Sequence, residues 1–395
     1  MQPYPQRMIK ERAKLNYNKC NGSVVVTTDG GAGSSGKGSF NAWLAVEYPF
    51  HLAMNNWSTN AGHYWESDDG LRILNQHICS AFVNPNTELY INAGASIDID
   101  ILFSEIFKIE SHGFNILDRL SIHPHANVIT QADKDHEKLV IKTGSTFKGC
   151  GSALARKTMR VPGSKLAKDY EELGPFIKDR TLEINEMILQ GANILIEGSQ
   201  GIDLDINHAE YPYITSRQTI PQQLIADAGI PIQAVSNIII NLRTNPIRIN
   251  NQSAVNPNEQ CYTGNYWDAK EISWADVASQ AGYDSFEEFE NEYKYALMTS
   301  VTKKLRRVFE FPKARFKFVH HLVGGSIPDS GVLYSLNFVN FVDKNVKGAK
   351  EIYEVTTPKV VNWLQDNLGE VWNSGQVRWL RTGARHSEIV DMGIV

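Results

Sequence analysis

Ten residues, Gly30-Gly31-Ala32-Gly33-Ser34-Ser35-Gly36-Lys37-Gly38-Ser39, combine what is needed to hold a phosphate. Glycines let backbone N–H groups crowd around an anion, and a lysine beside them supplies a point charge. The spacing matches two phosphate loops in part. Gly31, Gly33 and Gly36 spell the G-x-G-x-x-G of a dinucleotide fold. That fold needs an acidic residue about 20 residues further on, and here the second strand ends in Asn55-Asn56. Gly31 to Lys37 spell G-x-x-x-x-G-K, but Gly38 stands where a P-loop puts the Ser or Thr that holds Mg²⁺. A tight turn with no ligand is the bland alternative. Glycines and a lysine converging on a helix N-terminus favour anion binding over it.

The elements around the loop follow from patterning. "SVVVTT" (23–28) reads as a buried first strand, and a helix is expected over 37–47. Further apolar strands are expected at 50–56, 89–94, 193–198, 234–243 and 376–383, with helices at 175–192 (ended by Gly191) and 355–369 (stopped by Gly369). This alternation predicts an α/β fold: a central, mostly parallel twisted sheet flanked by helices, with small inserted helical subdomains. Residues 1–22 read as an N-terminal extension and 23–395 as one domain. The polar, acidic stretch around 256–296 reads as an insertion.

The chain has 395 residues, 42% hydrophobic and 21% charged, with a formal net charge of −5. That suffices for one large domain with a sizeable core. Without a basic block, a nucleic-acid polymer is not expected as a ligand. No run of 18 apolar residues predicts a membrane span, and the polar start lacks a secretory signal. Cys20, Cys79, Cys150 and Cys261 are scattered, which reads as reduced thiols in a cytoplasmic protein.

Five stretches occur in the order that adenylosuccinate synthetases use. The loop Gly33–Ser39 resembles that family's Gly-Asp-Glu-Gly-Lys-Gly-Lys. "STNAGHYW" (58–65) resembles Asn-Ala-Gly-His-Thr. "GSTFKGCG" (144–151) with "ALARKTMR" (153–160) resembles Thr-Thr-Gly-Arg-Gly-Ile-Gly and the arginine after it. "IEGSQGIDLDINHAEYPYITSRQT" (196–219) is the longest match, and "TSVTKKLRRV" (299–308) resembles an aspartate-binding loop. The resemblance spans roughly residues 23–390. It implies a carbon–nitrogen ligase that phosphorylates a purine 6-oxo group and then displaces the phosphate with the amine of aspartate.

The resemblance also implies roles. Gly33, Ser35, Gly36, Lys37 and Gly38 would hold the triphosphate, with Lys37 on the transferring phosphoryl group. His63 would be the acid near O6. Gly62, with Ser34, would face Mg²⁺. Asn60, Ala61, Thr146, Gln200 and Thr215 would hold the acceptor nucleotide, with Gln200 also near the chemistry. Arg160 would reach the phosphate site of a second subunit in a homodimer. Thr302, Lys304 and Arg306 would grip aspartate. A structural histidine, loop caps and a solvated basic face are the alternatives for these residues.

Two departures redirect the substrate. The family's loop Asp is Ser34 here, which leaves space beside N1 and C2 of the base and offers an acceptor to a 2-amino group. This form resembles the phage-type 2-aminoadenylosuccinate synthetases, which act on dGMP; a viral source would place the enzyme in the host cytoplasm. The stretch Ser335-Leu336-Asn337 stands where the family reads a GTP donor with Asp. An amide at Asn337 suits ATP or dATP, with Gly383 in "RTGARHSE" (381–388) against the donor base. Asp29 is a candidate N1 base or, equally, a cap for the loop. The sequence therefore leads to a dGMP–aspartate ligase, with an IMP- and GTP-using synthetase and a silent nucleotide-binding paralogue as alternatives.

Overall fold

The computed structural model describes residues 22–141, 143–251, 262–299 and 305–393. Nine strands form the central sheet: β1 (Ser23–Asp29), β2 (Leu52–Asn55), β3 (Glu88–Ile91), β4 (Leu120–Ile122), β5 (Asn193–Glu197), β6 (Val235–Arg243), β7 (Val332–Asn337), β8 (Val377–Arg381) and β9 (Ile389–Asp391). Their order is β9-β8-β7-β6-β1-β5-β2-β3-β4. Every pairing is parallel except β8 with β9.

β1 sits near the middle and is buried on both faces, which is why it reads as a continuous apolar run. Val25 joins one core with Phe40, Leu44 and Trp379; Val24 and Val26 join another with Met54 and Ile196. Parallel strands align their C-terminal ends along one edge, and the phosphate loop leaves β1 at that edge. The helix Lys37–Glu47 follows and buries Phe40, Trp43 and Leu44. Its predicted limits and its observed limits coincide.

Two other predicted helices differ. The chain over 175–192 is α-helical only from Thr181 to Leu189, after a 3-10 turn that ends at Phe176. Ahead of it, Ile177 forms a parallel bridge to Ile122 at the sheet edge, and Asp179 Oδ1 accepts from Thr181 N at 3.0 Å. Edge pairing outweighs the helical periodicity there. The last long helix runs Pro358–Asn373, capped by Thr357, and kinks rather than stops at Gly369, where φ is 45°. Val371 and Trp372 beyond the kink are buried in the core, which draws the helix onward.

A smaller layer lies over the loop edge. Ile247–Arg248, Arg307–Phe309 and Glu271–Ile272 form an antiparallel ribbon. The helices Trp274–Ala281 and Phe286–Leu297, each started by a serine cap, pack Trp274, Val277 and Phe289 against Phe341.

Candidate functional site

The loop is braced from behind. Asp29 Oδ1 accepts from Gly31 N at 2.6 Å, and its Oδ2 pairs with Lys37 Nζ at 3.3 Å. The Tyr266 hydroxyl accepts from Ala32 N at 3.1 Å and donates to Asp203 at 2.6 Å. Arg315 Nε donates to the other oxygen of Asp203 at 2.5 Å. Asp29 is 1% exposed with both oxygens engaged, an arrangement that caps the loop, and it does not line either of the substrate-sized cavities described below.

Gly33, Ser34 and Gly36 all hold a left-handed backbone, with φ of 85°, 56° and 87°. Glycine adopts this freely; serine does so at a cost, so Ser34 marks the strained apex. Gly38 has another reason to be glycine. A Cβ there would lie 2.6 Å from Tyr64 O and 2.8 Å from His63 Cβ. The helix start is pressed against the strand His63–Glu66, and the hydroxyl that a P-loop needs has no room.

Two cavities flank the apex. One, of about 180 Å³, runs along Ser34–Ser39 and is walled by Trp65, Arg243, Phe338, Arg381 and Gly383. The other, of about 550 Å³, is walled by Asn60, Ala61, Thr146, Gln200 and Thr215. Ser34, Lys37, Gly62, His63 and Arg306 line both. A group passed between ligands in the two cavities would cross these five residues.

His63 is set for that crossing. Its Nδ1 lies 2.8 Å from Glu197 Oε1, which fixes Nδ1–H as the donor to the carboxylate. Glu197 also accepts from Ser80 N at 2.7 Å and Ser80 Oγ at 2.8 Å, and Trp57 Nε1 holds its backbone carbonyl at 2.7 Å. The Trp57 ring centroid is 3.9 Å from that of His63. Burial pushes the His63 pKa below the ordinary imidazole value, and the bond to Glu197 opposes that. His63 Nε2 is buried without a hydrogen-bond partner among the described residues.

Lys37 Nζ donates to Gln200 O at 2.7 Å, linking the loop to the 196–219 segment. Gln200 has φ 59°, and its Oε1 is buried without a partner among the described residues. Asn60 Nδ2 donates to Thr215 Oγ1 at 3.4 Å. These groups form a polar wall suited to a nucleotide. Arg160 is exposed, with φ 55°, and lines neither cavity of its own chain. Thr302 and Lys304 lie outside the described residues.

Arg306 Nη2 donates to Ser34 Oγ at 3.1 Å and its Nη1 to Ala296 O at 2.5 Å; burial lowers its pKa to about 10. Two further arginines escaped the sequence reading. Arg243 ends β6 and donates to Ser34 O at 2.9 Å; Arg381 ends β8 and reaches Gly36 O at 3.4 Å. They arrive from strands more than 200 residues downstream, and a charged residue closing a buried strand was the one available signal. Asn337 ends β7 directly beneath Gly36 and is fully buried. Its Nδ2 lies 3.3 Å from Leu242 O, and its Oδ1 is buried without a partner among the described residues. Phe338, with φ 64°, and Asn340 line the donor-side cavity beside it. Gly383 does line that cavity, and a Cβ there would meet Glu388 Oε2 at 2.0 Å.

The sequence profile of the adenylosuccinate synthetase family matches residues 30–168 and 163–251. The chain is 29% identical over 349 residues to the N6-succino-2-amino-2'-deoxyadenylate synthase of Salmonella phage PMBT28, covering 83% of this chain and 88% of that protein. It is 31% identical over 326 residues to the synthase of the same name from Acinetobacter phage SH-Ab 15497, covering 73% and 78%. Its fold matches the cyanophage S-2L succinoaminodeoxyadenylate synthetase bound to dGMP and dATP as an energy donor. That match has a TM-score of 0.74 and 25% identity, and it covers 93% of this chain and 95% of that one.

Proposed function

The chain belongs to the adenylosuccinate synthetase family and is a ligase of that type, and from that premise we propose that it joins L-aspartate to C6 of dGMP at the expense of ATP or dATP. The product would be N6-succino-2-amino-2'-deoxyadenylate, for the synthesis of 2-aminoadenine DNA. The observation that carries the reading is Ser34. It sits at the neck between the cavities, and on this reading a larger carboxylate there would crowd the C2 side of the purine. Its Oγ accepts from Arg306 and keeps a lone pair for a 2-amino N–H. The phage relatives' named activity, and the dGMP and dATP in the cyanophage structure, support the same choice.

On this reading the 180 Å³ cavity takes the donor and the 550 Å³ cavity takes dGMP. O6 of the base attacks the terminal phosphorus as N1 gives up its proton, to Asp29 through a water on this reading, and the nucleoside diphosphate departs. The aspartate amine then attacks C6, the C6–O6 bond breaks, and phosphate leaves with the oxygen while the amine loses a proton. Lys37 and the loop amides hold the phosphoryl group in transit. His63, backed by Glu197, holds a proton between O6 and the phosphoryl oxygens. Arg306, with Thr302 and Lys304, grips the aspartate carboxylates, and Arg160 completes the dGMP phosphate site of a second subunit.

Among the described residues no group of three or more His, Cys, Asp or Glu could hold a metal ion. The donor set is neutral oxygen, which fits Mg²⁺ carried in on the donor phosphates rather than held in a protein cage. The Gly62 carbonyl suits it better than Ser34 Oγ, because Arg306 already places positive charge on the latter. When bound, the ion would neutralise phosphate charge. Phosphate release measured with dGMP or IMP, ATP or GTP, with and without aspartate, tests the proposal. Aspartate-dependent release with dGMP and ATP is expected. Release confined to IMP and GTP, or none with any pair, would sink it.

A further inference from the structure

We propose that Arg243 is a ligand of the donor triphosphate: a guanidinium held under the loop apex whose unpartnered N–H groups close on the phosphate tail. The inference rests on the donor cavity assigned above. Arg243 is 4% exposed. Its Nη1 is spent on Ser34 O, and the guanidinium lies 4.1 Å from the centroid of the Phe338 ring. Nε and Nη2 are buried without hydrogen-bond partners among the described residues.

The charge is equally unbalanced. The nearby acid, Asp29, is already paired with Lys37, and Arg306 brings a second buried guanidinium alongside. Arginine does not readily shed its proton, so such a burial is unfavourable until an anion arrives. Phe338 covers a face of the group, so its N–H edge is what remains for a ligand. Arg243 lines the cavity that runs along Ser34–Ser39 and not the one lined by Asn60 and Gln200. The anion it meets is therefore the donor's. Phosphate oxygens match the guanidinium fork.

A purely structural arginine would brace Ser34 and bind nothing. Titration calorimetry on the full chain separates the two roles, using ATP, inorganic tripolyphosphate, adenosine and dGMP. Arg243→Met is expected to weaken ATP and tripolyphosphate roughly 10- to 100-fold while leaving adenosine and dGMP within about twofold. Its unliganded melting temperature should hold or rise, because an unpaired buried charge has gone. Arg243→Lys should recover part of the affinity, since an ammonium lacks the fork. Tripolyphosphate binding within about threefold of wild type in a folded Arg243→Met would overturn the proposal. So would equal losses for adenosine and dGMP, or a rise confined to the KM for aspartate. Tripolyphosphate carries no base and needs no acceptor, so the result is independent of whether dGMP is the purine.

Discussion

A histidine pressed against Trp57 and tied through Nδ1–H to Glu197 starts its cycle uncharged, with Nε2 ready to accept a proton. The arrival of phosphate charge reverses the effect of burial, because an anion favours imidazolium. The pKa then rises on binding, so donor binding takes up a proton and tightens as the pH falls toward the free-protein value. Calorimetry in buffers of different ionisation enthalpy should detect that uptake. His63→Asn should abolish it and lower kcat by about 10²- to 10⁴-fold with dGMP affinity kept. Uptake that persists in the variant would assign the proton to another group. At this scale the placement of Ser34, His63, Gln200 and Arg306 around the cavities was legible because each belongs to a contiguous motif. Arg243, Phe338 and Tyr266 were not, because each reaches the loop from a distant segment. Phe338 shows the limit of a motif: the end of a strand can be read from sequence, but the left-handed backbone that carries the next residue to the cavity wall cannot.

Between single groups and the fold stand the elements, and here the junction of the helix Lys37–Glu47 with the strand His63–Glu66 decides most. The helix N-terminus is set against the strand that carries His63, with Gly38 at the contact. Gly38→Ser would restore a P-loop spelling but push the two elements apart. A destabilisation of about 1–3 kcal/mol, a lower melting temperature and a fall in kcat are expected. A variant with unchanged melting and turnover would show that the contact yields without consequence. The element boundaries were legible where one local signal dominates, as in Lys37–Glu47 between its glycines and the turn after Glu47. They were not legible where a partner distant in sequence competes. Ile122 draws Ile177 out of a predicted helix, and the buried Trp372 carries the last helix past Gly369.

The whole molecule gathers the site from both flanks of β1. On one side of β1 lie β5 and β2, whose following loops carry Gln200, Asn60 and His63. On the other lie β6, β7 and β8, whose ends carry Arg243, Phe338 and Arg381. The alternation of strands and helices foretold a parallel sheet, but strand order depends on how crossovers pack and was not legible. If Arg160 serves a second subunit, mixing inactive chains tests it. Arg160→Ala and His63→Asn subunits, unfolded and refolded together, should regain about a quarter of wild-type activity, since half the dimers hold one intact site. No regain above the separate variants would confine Arg160 to its own chain.

The placement of β1 at the seam ties the two cavities together. Each draws lining from both flanks, Trp65 and Arg243 in one, Gln200 and Arg248 in the other. They share the five residues of the neck, so a change of donor and a change of acceptor would press on the same side chains. Ser34 stands in that neck, where a single substitution is felt by both flanks at once.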